Sequence, residues 1–203
     1  MIRSLALLVI CSVAGCATSP ERSGTALTLP HPMSPNSHVD QFYMAPDFRP
    51  QHYDLLIVAE PILAVPLPKG ELTYTPWAVD LRTALAQAMQ RAGLFSHVET
   101  EPPDDLEARK IATLESAITE MDPGSQFARW MFGEFGGGNS FLEVEGRIVD
   151  ASTGVVLVQF ADRRRGAAVF DIAGGDSQAL LQEDLRGIAK GVASALGEAV
   201  GAP

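Results

Sequence analysis

The chain has 203 residues, of which 46% are hydrophobic and only 7% aromatic, enough for one core of ordinary size. Twenty-five acidic residues against 15 Lys and Arg give a net charge of −10, which argues against nucleic acid or anionic headgroups as partners held by the charge of the body. The two cysteines, Cys11 and Cys16, both lie near the N-terminus, so no disulfide is available to staple the rest of the chain.

At the N-terminus Arg3 is followed by an apolar run over residues 5–13, too short to span a bilayer as a stable helix, and then by small residues and a cysteine. This is the layout of a processing segment. The run Val13-Ala14-Gly15-Cys16 resembles a bacterial lipobox. That resemblance implies a lipoprotein signal peptide over 1–15 and fatty acylation, palmitate included, on Cys16, which becomes the first mature residue. Cys11 then leaves with the leader. Because Ala17 rather than Asp follows the cysteine, the resemblance implies anchoring in the outer membrane with the domain facing the periplasm. Residues 16–50 are rich in Ser, Pro, Thr and Asn with little apolar periodicity, and read as a lipidated, disordered tether. His31, His38 and Asp40 in this stretch lack the close spacing of a zinc site, and no metal or cofactor is expected. His52 and His97 are isolated and read as structural.

A single folded domain is expected over 51–203. Residues 55–59 form a continuous apolar run, the pattern of a strand buried on both faces. Pro61, Pro66 and Pro68 break its continuation, which leaves 62–74 irregular or at a sheet edge. Thr75 and Pro76 suit the start of a helix with the apolar stripe Trp77, Leu81, Leu85, Ala88 and Ala92, ended by Gly93 as a left-handed cap. Residues 94–98 read as a short strand, which makes a strand-helix-strand crossover, right-handed if the strands are parallel. Asp104 and Asp105 suit helix capping better than catalysis, because neighbours in sequence diverge on a helix. Residues 111–121 read as a strand stopped by Asp122-Pro123-Gly124.

The glycine-rich segment 133–138 lacks the Lys-Ser/Thr ending of a phosphate loop and precedes a strand, not a helix. Likewise Gly138-Asn139-Ser140 lacks the closing glycine of a nucleophile elbow. Large apolar groups crowd just before it, and Trp130, Phe132 and Phe135 are candidate contacts for a partner or a second copy, with Phe127 and Met131 on a covering helical face. In the next strand Leu142, Val144, Gly146 and Ile148 share one face, while Glu143, Glu145 and Arg147 share the other and read as a solvated row. Residues 150–154 are a hairpin loop and 155–161 its return strand. Asp162-Arg163-Arg164-Arg165-Gly166 reads as a turn, and Arg163, Arg164 and Arg165 are candidate anion contacts, the alternative being a solvated, neutralised cluster. A short strand over 167–172 and a final helix with the stripe Leu181, Leu185, Ile188, Val192, Ala195 and Ala199 complete the chain. The class expected is α+β: a mixed, largely antiparallel sheet of about five or six strands with two main helices packed on it, preceded by a disordered tether.

Gly93-Leu94-Phe95, the segment from Ile118 to Gly124, Arg129, the glycines from Gly136 to Gly138 and the loop from Asp150 to Gly154 together resemble uncharacterised bacterial lipoproteins whose domain is similar to that of the curli-secretion lipoprotein. The resemblance covers roughly residues 53–200. It implies an α/β sandwich exposed to the periplasm and brings no catalytic residues. The function expected is a non-enzymatic binding or assembly role at the outer membrane, with an envelope protein, peptidoglycan or a second copy as partner. The alternatives are a hydrolase or transferase acting on cell-wall material, or an oligomeric, secretion-associated component.

Overall fold

The structure, a computed structural model, describes residues 26–65, 75–103, 109–122, 140–166 and 177–201. Its frame is a pair of long antiparallel ladders in which β6 (Ser140–Asp150) lies between β5 (Ile111–Asp122) and β7 (Val156–Gly166). The strict alternation in β6 gives this frame two unlike faces. On the other side of β5 run the parallel strands β2 (Leu55–Val58) and β3 (Ile62–Leu63), and β4 (Val98–Glu99) adds in parallel to β2. At the opposite edge β1 (Gln41–Met44) pairs antiparallel with β7. Among the described residues the result is one seven-stranded sheet, ordered β1-β7-β6-β5-β2-β4 with β3 beside β5. Two helices pack on one face of this mixed, largely antiparallel sheet, so the α+β class read from the sequence is what forms.

The helices α1 (Thr75–Ala92) and α2 (Ser177–Ala199) bury most of the stripes that periodicity predicts, but Ala92 and Ala199 at their last turns are exposed and Ala88 is half-buried, with Met89 and Leu196 filling the core there instead. Trp77, Leu81, Leu85 and Met89 of α1 and Leu181, Leu185, Ile188, Val192, Ala195 and Leu196 of α2 meet Leu114, Ile118, Leu142, Val144, Ile148, Val158 and Phe160 of the sheet. Gly93 ends α1 at φ 63°, which an L side chain resists, and Leu94 beside it is buried. Arg82 ties the helix to its flanking strands: its Nε donates to the Val58 carbonyl at 2.9 Å, and its guanidinium also reaches the Thr100 carbonyl and the Glu101 carboxylate. On the core face of β6, Gly146 leaves the space that the Phe160 ring fills, so a Cβ there would collide with Phe160 and lie 2.9 Å from the Glu115 carbonyl.

Three expectations are corrected. From residue 26 onward the stretch read as tether is part of the folded body: Leu27, Val39, Phe42 and Phe48 are buried, and residues 41–44 form β1. Apolar residues too far apart to make a periodic pattern find separate partners: Phe42 pairs with the edge of β7, Phe48 packs on Tyr53 and Phe95, and Leu27 is held by Glu145. The strand expected over 94–98 shrinks to β4, because Leu94 and Phe95 turn into the core instead of extending. The turn expected at 162–166 is the last part of β7, paired residue for residue with 140–144 of β6. Residues 1–15 and the candidate strand over 167–172 lie outside the described residues.

Candidate functional site: the strap-covered sheet face

The sheet face turned away from the helices is polar. Cross-strand register places Phe141 opposite Arg165, Glu143 opposite Arg163 and Arg147 opposite Gln159, while β5 brings Glu120 opposite Glu143 and Glu115 opposite Arg147. A row of this kind is expected to face water, yet Glu143 and Glu145 are only 3% and 2% exposed, and Gln159 is fully buried. The solvated-row expectation is therefore corrected. A buried carboxylate needs donors, and each finds one: Thr119 Oγ1 donates to Glu143 at 3.0 Å, and the Glu145 carboxylate accepts from the backbone amides of Ala26 and Leu27, the latter at 2.6 Å.

Glu145 begins a series of contacts that hold residues 26–40 across this face as a strap. Arg147, paired with Glu115 at 2.7 Å, donates to the Thr28 carbonyl at 2.8 Å. The Gln159 amide accepts from the His31 N–H at 3.1 Å and donates to the His31 carbonyl at 2.8 Å, matching both backbone groups of one residue. The His31 ring stacks on Tyr43 of β1 with centroids 4.3 Å apart. Ser34 pairs with Phe42 as the strap turns back into β1. Asp162 accepts from the Asp40 N–H at 3.2 Å, and Asp40 in turn accepts from the Arg163 N–H at 3.0 Å, so side chains cap the edge of β7 where β1 stops. With Pro30, Pro32 and Pro35 in the strap, helix and regular ladder are disfavoured, and side chains of the sheet satisfy its backbone instead.

Strand alternation splits the arginine triplet. Arg163 and Arg165 lie on the strap side, and both guanidiniums sit over the Phe141 ring, 5.3 and 4.8 Å from its centroid. Arg163 also pairs with Glu120 at 2.8 Å. Arg164 points to the opposite side, where Nε bonds Asp162 at 2.7 Å and Nη2 donates to the His38 carbonyl at 3.0 Å. Arg163 and Arg165 thus share the strap-side face, whereas Arg164 is a structural clamp. Behind it, burial raises the Asp162 carboxyl above its usual range, with the Arg164 charge opposing. Burial and the neighbouring Glu183 charge push Asp184 of α2 up to about 6, again opposed by Arg164. One oxygen of Asp184 is buried without a hydrogen-bond partner.

The far end of the β6–β7 hairpin is a self-contained turn. Asp150 Oδ1 accepts from the backbone and hydroxyl groups of Ser152 and Thr153, and Oδ2 accepts from the Tyr53 hydroxyl at 2.9 Å. The Ser152 hydrogen bond leads the causes that hold the Asp150 carboxyl far below its ordinary value, against the opposing effect of burial. Burial, then the bond to Asp150 and its charge, push Tyr53 up to about 12. A depressed carboxylate stabilises the fold above its unfolded pKa of about 4, and that contribution is lost as pH falls through the folded value.

Cys16, Trp130, Phe132 and Phe135 lie outside the described residues. Ser140 and His97 do not meet: Ser140 opens β6, whereas His97 precedes β4, three strands along the sheet and toward the opposite end of the ladder. Among the described residues no group of three or more His, Cys, Asp or Glu side chains is placed to hold a metal ion. His38 instead pairs with Glu198 at 3.2 Å. A shallow groove of about 150 Å³ between α1 and α2 is lined by Asp80, Thr83 and Gln87 on one side and Gln182 and Arg186 on the other. Sequence reasoning missed Glu145, Arg147, Gln159 and the strap they hold. The legible signal was Gln159, an amide inside an otherwise apolar return strand.

Residues 77–169 match the family model described as Domain of unknown function (DUF4410). No curated protein matches the chain. Similar solved structures include the PelC dodecamer from Paraburkholderia phytofirmans, at 13% identity and TM-score 0.48, covering 74% of this chain and 95% of that one. Protein XCC0632 from Xanthomonas campestris is similar at 14% identity and TM-score 0.46, covering 76% of this chain and 90% of that one.

Proposed function

We propose that the protein is a lipid-anchored envelope lipoprotein whose folded domain has a non-enzymatic binding or assembly role. The observation that carries this reading is the N-terminal sequence: a charged start, a short apolar run and Val13-Ala14-Gly15-Cys16. Lipid on Cys16 would supply the attachment that the body lacks means to provide by charge, given a net charge of −10. Among the described residues no helix is long and apolar enough to cross a membrane. Ala17 after the cysteine favours the outer membrane, with the domain in the periplasm. The binding role draws on Arg163 and Arg165 beside Phe141, and on the aromatic stretch with Trp130, Phe132 and Phe135, as contacts for an envelope component or a second copy. Replacing Cys16 with Ser tests the anchor: the variant is expected to lose labelling by a palmitate analogue and to leave the membrane fraction. A Cys16→Ser protein that still sediments with outer membranes as the wild type does overturns the reading.

A further inference from the structure

We propose that the sheet face opposite the helices is a binding groove for extended polypeptide main chain, and that its ligand is the chain's own segment 26–36, held in cis as a releasable latch. The contacts from Glu145, Arg147 and Gln159 go to backbone N–H and C=O groups of the strap. Their chemistry reads an extended backbone, not a side-chain sequence. The reading groups are themselves deeply placed: Glu145 is 2% exposed and Gln159 fully buried, positions where an unpaired carboxylate or amide is costly. Strap and groove therefore complete each other. No residue of 26–36 belongs to the apolar core cluster under the helices, whereas Val39, just past the hinge, does.

The downstream end of the latch is fixed. Arg164 holds the His38 carbonyl, Asp162 holds the Asp40 amide, and Gly191 of α2 lets His38 come so close that a Cβ there would lie 2.5 Å from its carbonyl oxygen. The upstream end rests on the Glu145, Arg147 and Gln159 contacts, with Leu27 as the buried apolar group. Release thus proceeds from residue 26 toward a hinge near Asn36, whose side chain bonds the His38 amide at 2.8 Å. If Cys16 is anchored as proposed above, the docked latch leaves the stretch from Cys16 to Ala26 as spacer, at most roughly 35 Å, and release of 26–36 adds roughly another 35 Å. The groove would then set how far the domain stands from the membrane.

Amide hydrogen exchange on the full chain tests the latch, in both the lipidated form and the Cys16→Ser form. The same exchange pattern is expected in the two forms, so failure of the anchor and failure of the latch are separate results. In Gln159→Leu, a change of similar size that removes both bonds to His31, the amides of Ala26, Leu27 and His31 should exchange about tenfold faster or more, while those of Leu114, Ile148 and Val192 keep their protection. Glu145→Gln retains an acceptor oxygen and loses only charge, so it provides the test if the first variant fails to fold. Its expected effect is a smaller acceleration confined to Ala26 and Leu27. Equal acceleration in strap and body in either variant, or strap amides already unprotected in the wild type, overturns the latch. Strap protection that rises with protein concentration places a second copy's segment in the groove and overturns the cis assignment.

Discussion

The two faces of the sheet are built by different physics. Toward the helices, Leu114, Ile118, Leu142, Val144, Ile148, Val158 and Phe160 meet the stripes of α1 and α2, and the free energy there comes from apolar burial. Toward the strap, Glu143, Glu145 and Gln159 are as buried as the core but carry hydrogen bonds instead, largely to main chain. The first kind of face tolerates exchange of similar apolar groups. The second depends on particular atoms finding particular partners. Truncation of the first leaves a cavity, whereas truncation of the second leaves an unpaired polar group and a loosened segment.

The largest effect that would sharpen this contrast is expected at Gly146, where the two faces share one strand. Gly146→Val places a branched side chain where the Phe160 ring already lies, and should cost about 3 kcal/mol or more by forcing apart β6, β7 and the core. Denaturant unfolding measures it. A loss under about 1 kcal/mol would mean that Phe160 can repack and that the face is less tightly specified than its geometry implies.

The arginine triplet gives the middle-sized effect. Arg164→Gln leaves the buried Asp162 without its cation and the His38 carbonyl without its donor, and should cost about 2 kcal/mol. Arg165→Gln removes an exposed cation over Phe141 and should cost less than about 1 kcal/mol. Equal losses for the two variants would contradict the split of the triplet across the faces. If Arg163 and Arg165 meet an anionic envelope component, their double replacement by Gln weakens its capture in a salt-dependent way.

The smallest effect is pH-dependent and concerns Asp184. Its folded pKa is raised to about 6, above the unfolded value, so the protonated carboxyl is the favoured form in the fold. Its stabilising contribution is complete below the unfolded pKa of about 4 and is lost as pH rises through about 6. Asp184→Asn should therefore raise stability at pH 7.5 by about 1 kcal/mol, after allowance for partial solvent screening, and make no difference below about pH 4. Melting curves of both proteins across that range are the measurement. A gain that persists at pH 4 would point to a cause other than titration of Asp184.

What the sequence determined by itself is what depends on short spacing. The 3.6-residue stripes of α1 and α2, the left-handed end at Gly93, the two-residue alternation of β6 and the Asp150–Gly154 turn were legible because each rests on neighbours along the chain. So was the inward face of Leu142, Val144, Gly146 and Ile148. Tertiary structure alone decided what covers the other face. Glu145 and the amides of Ala26 and Leu27 are more than a hundred positions apart, as are Gln159 and His31, and no local pattern links them. Alternation shows that Glu143, Glu145 and Arg147 share a face, but whether that face meets water or a strap depends on where a proline-spaced segment runs. The same holds for Arg163, Arg164 and Arg165. In sequence they are one basic run, and only the continuation of β7 opposite β6 sends two to the strap side and one to the clamp beside α2. Local periodicity fixes which groups point the same way; the partner that satisfies a buried polar group is chosen through space.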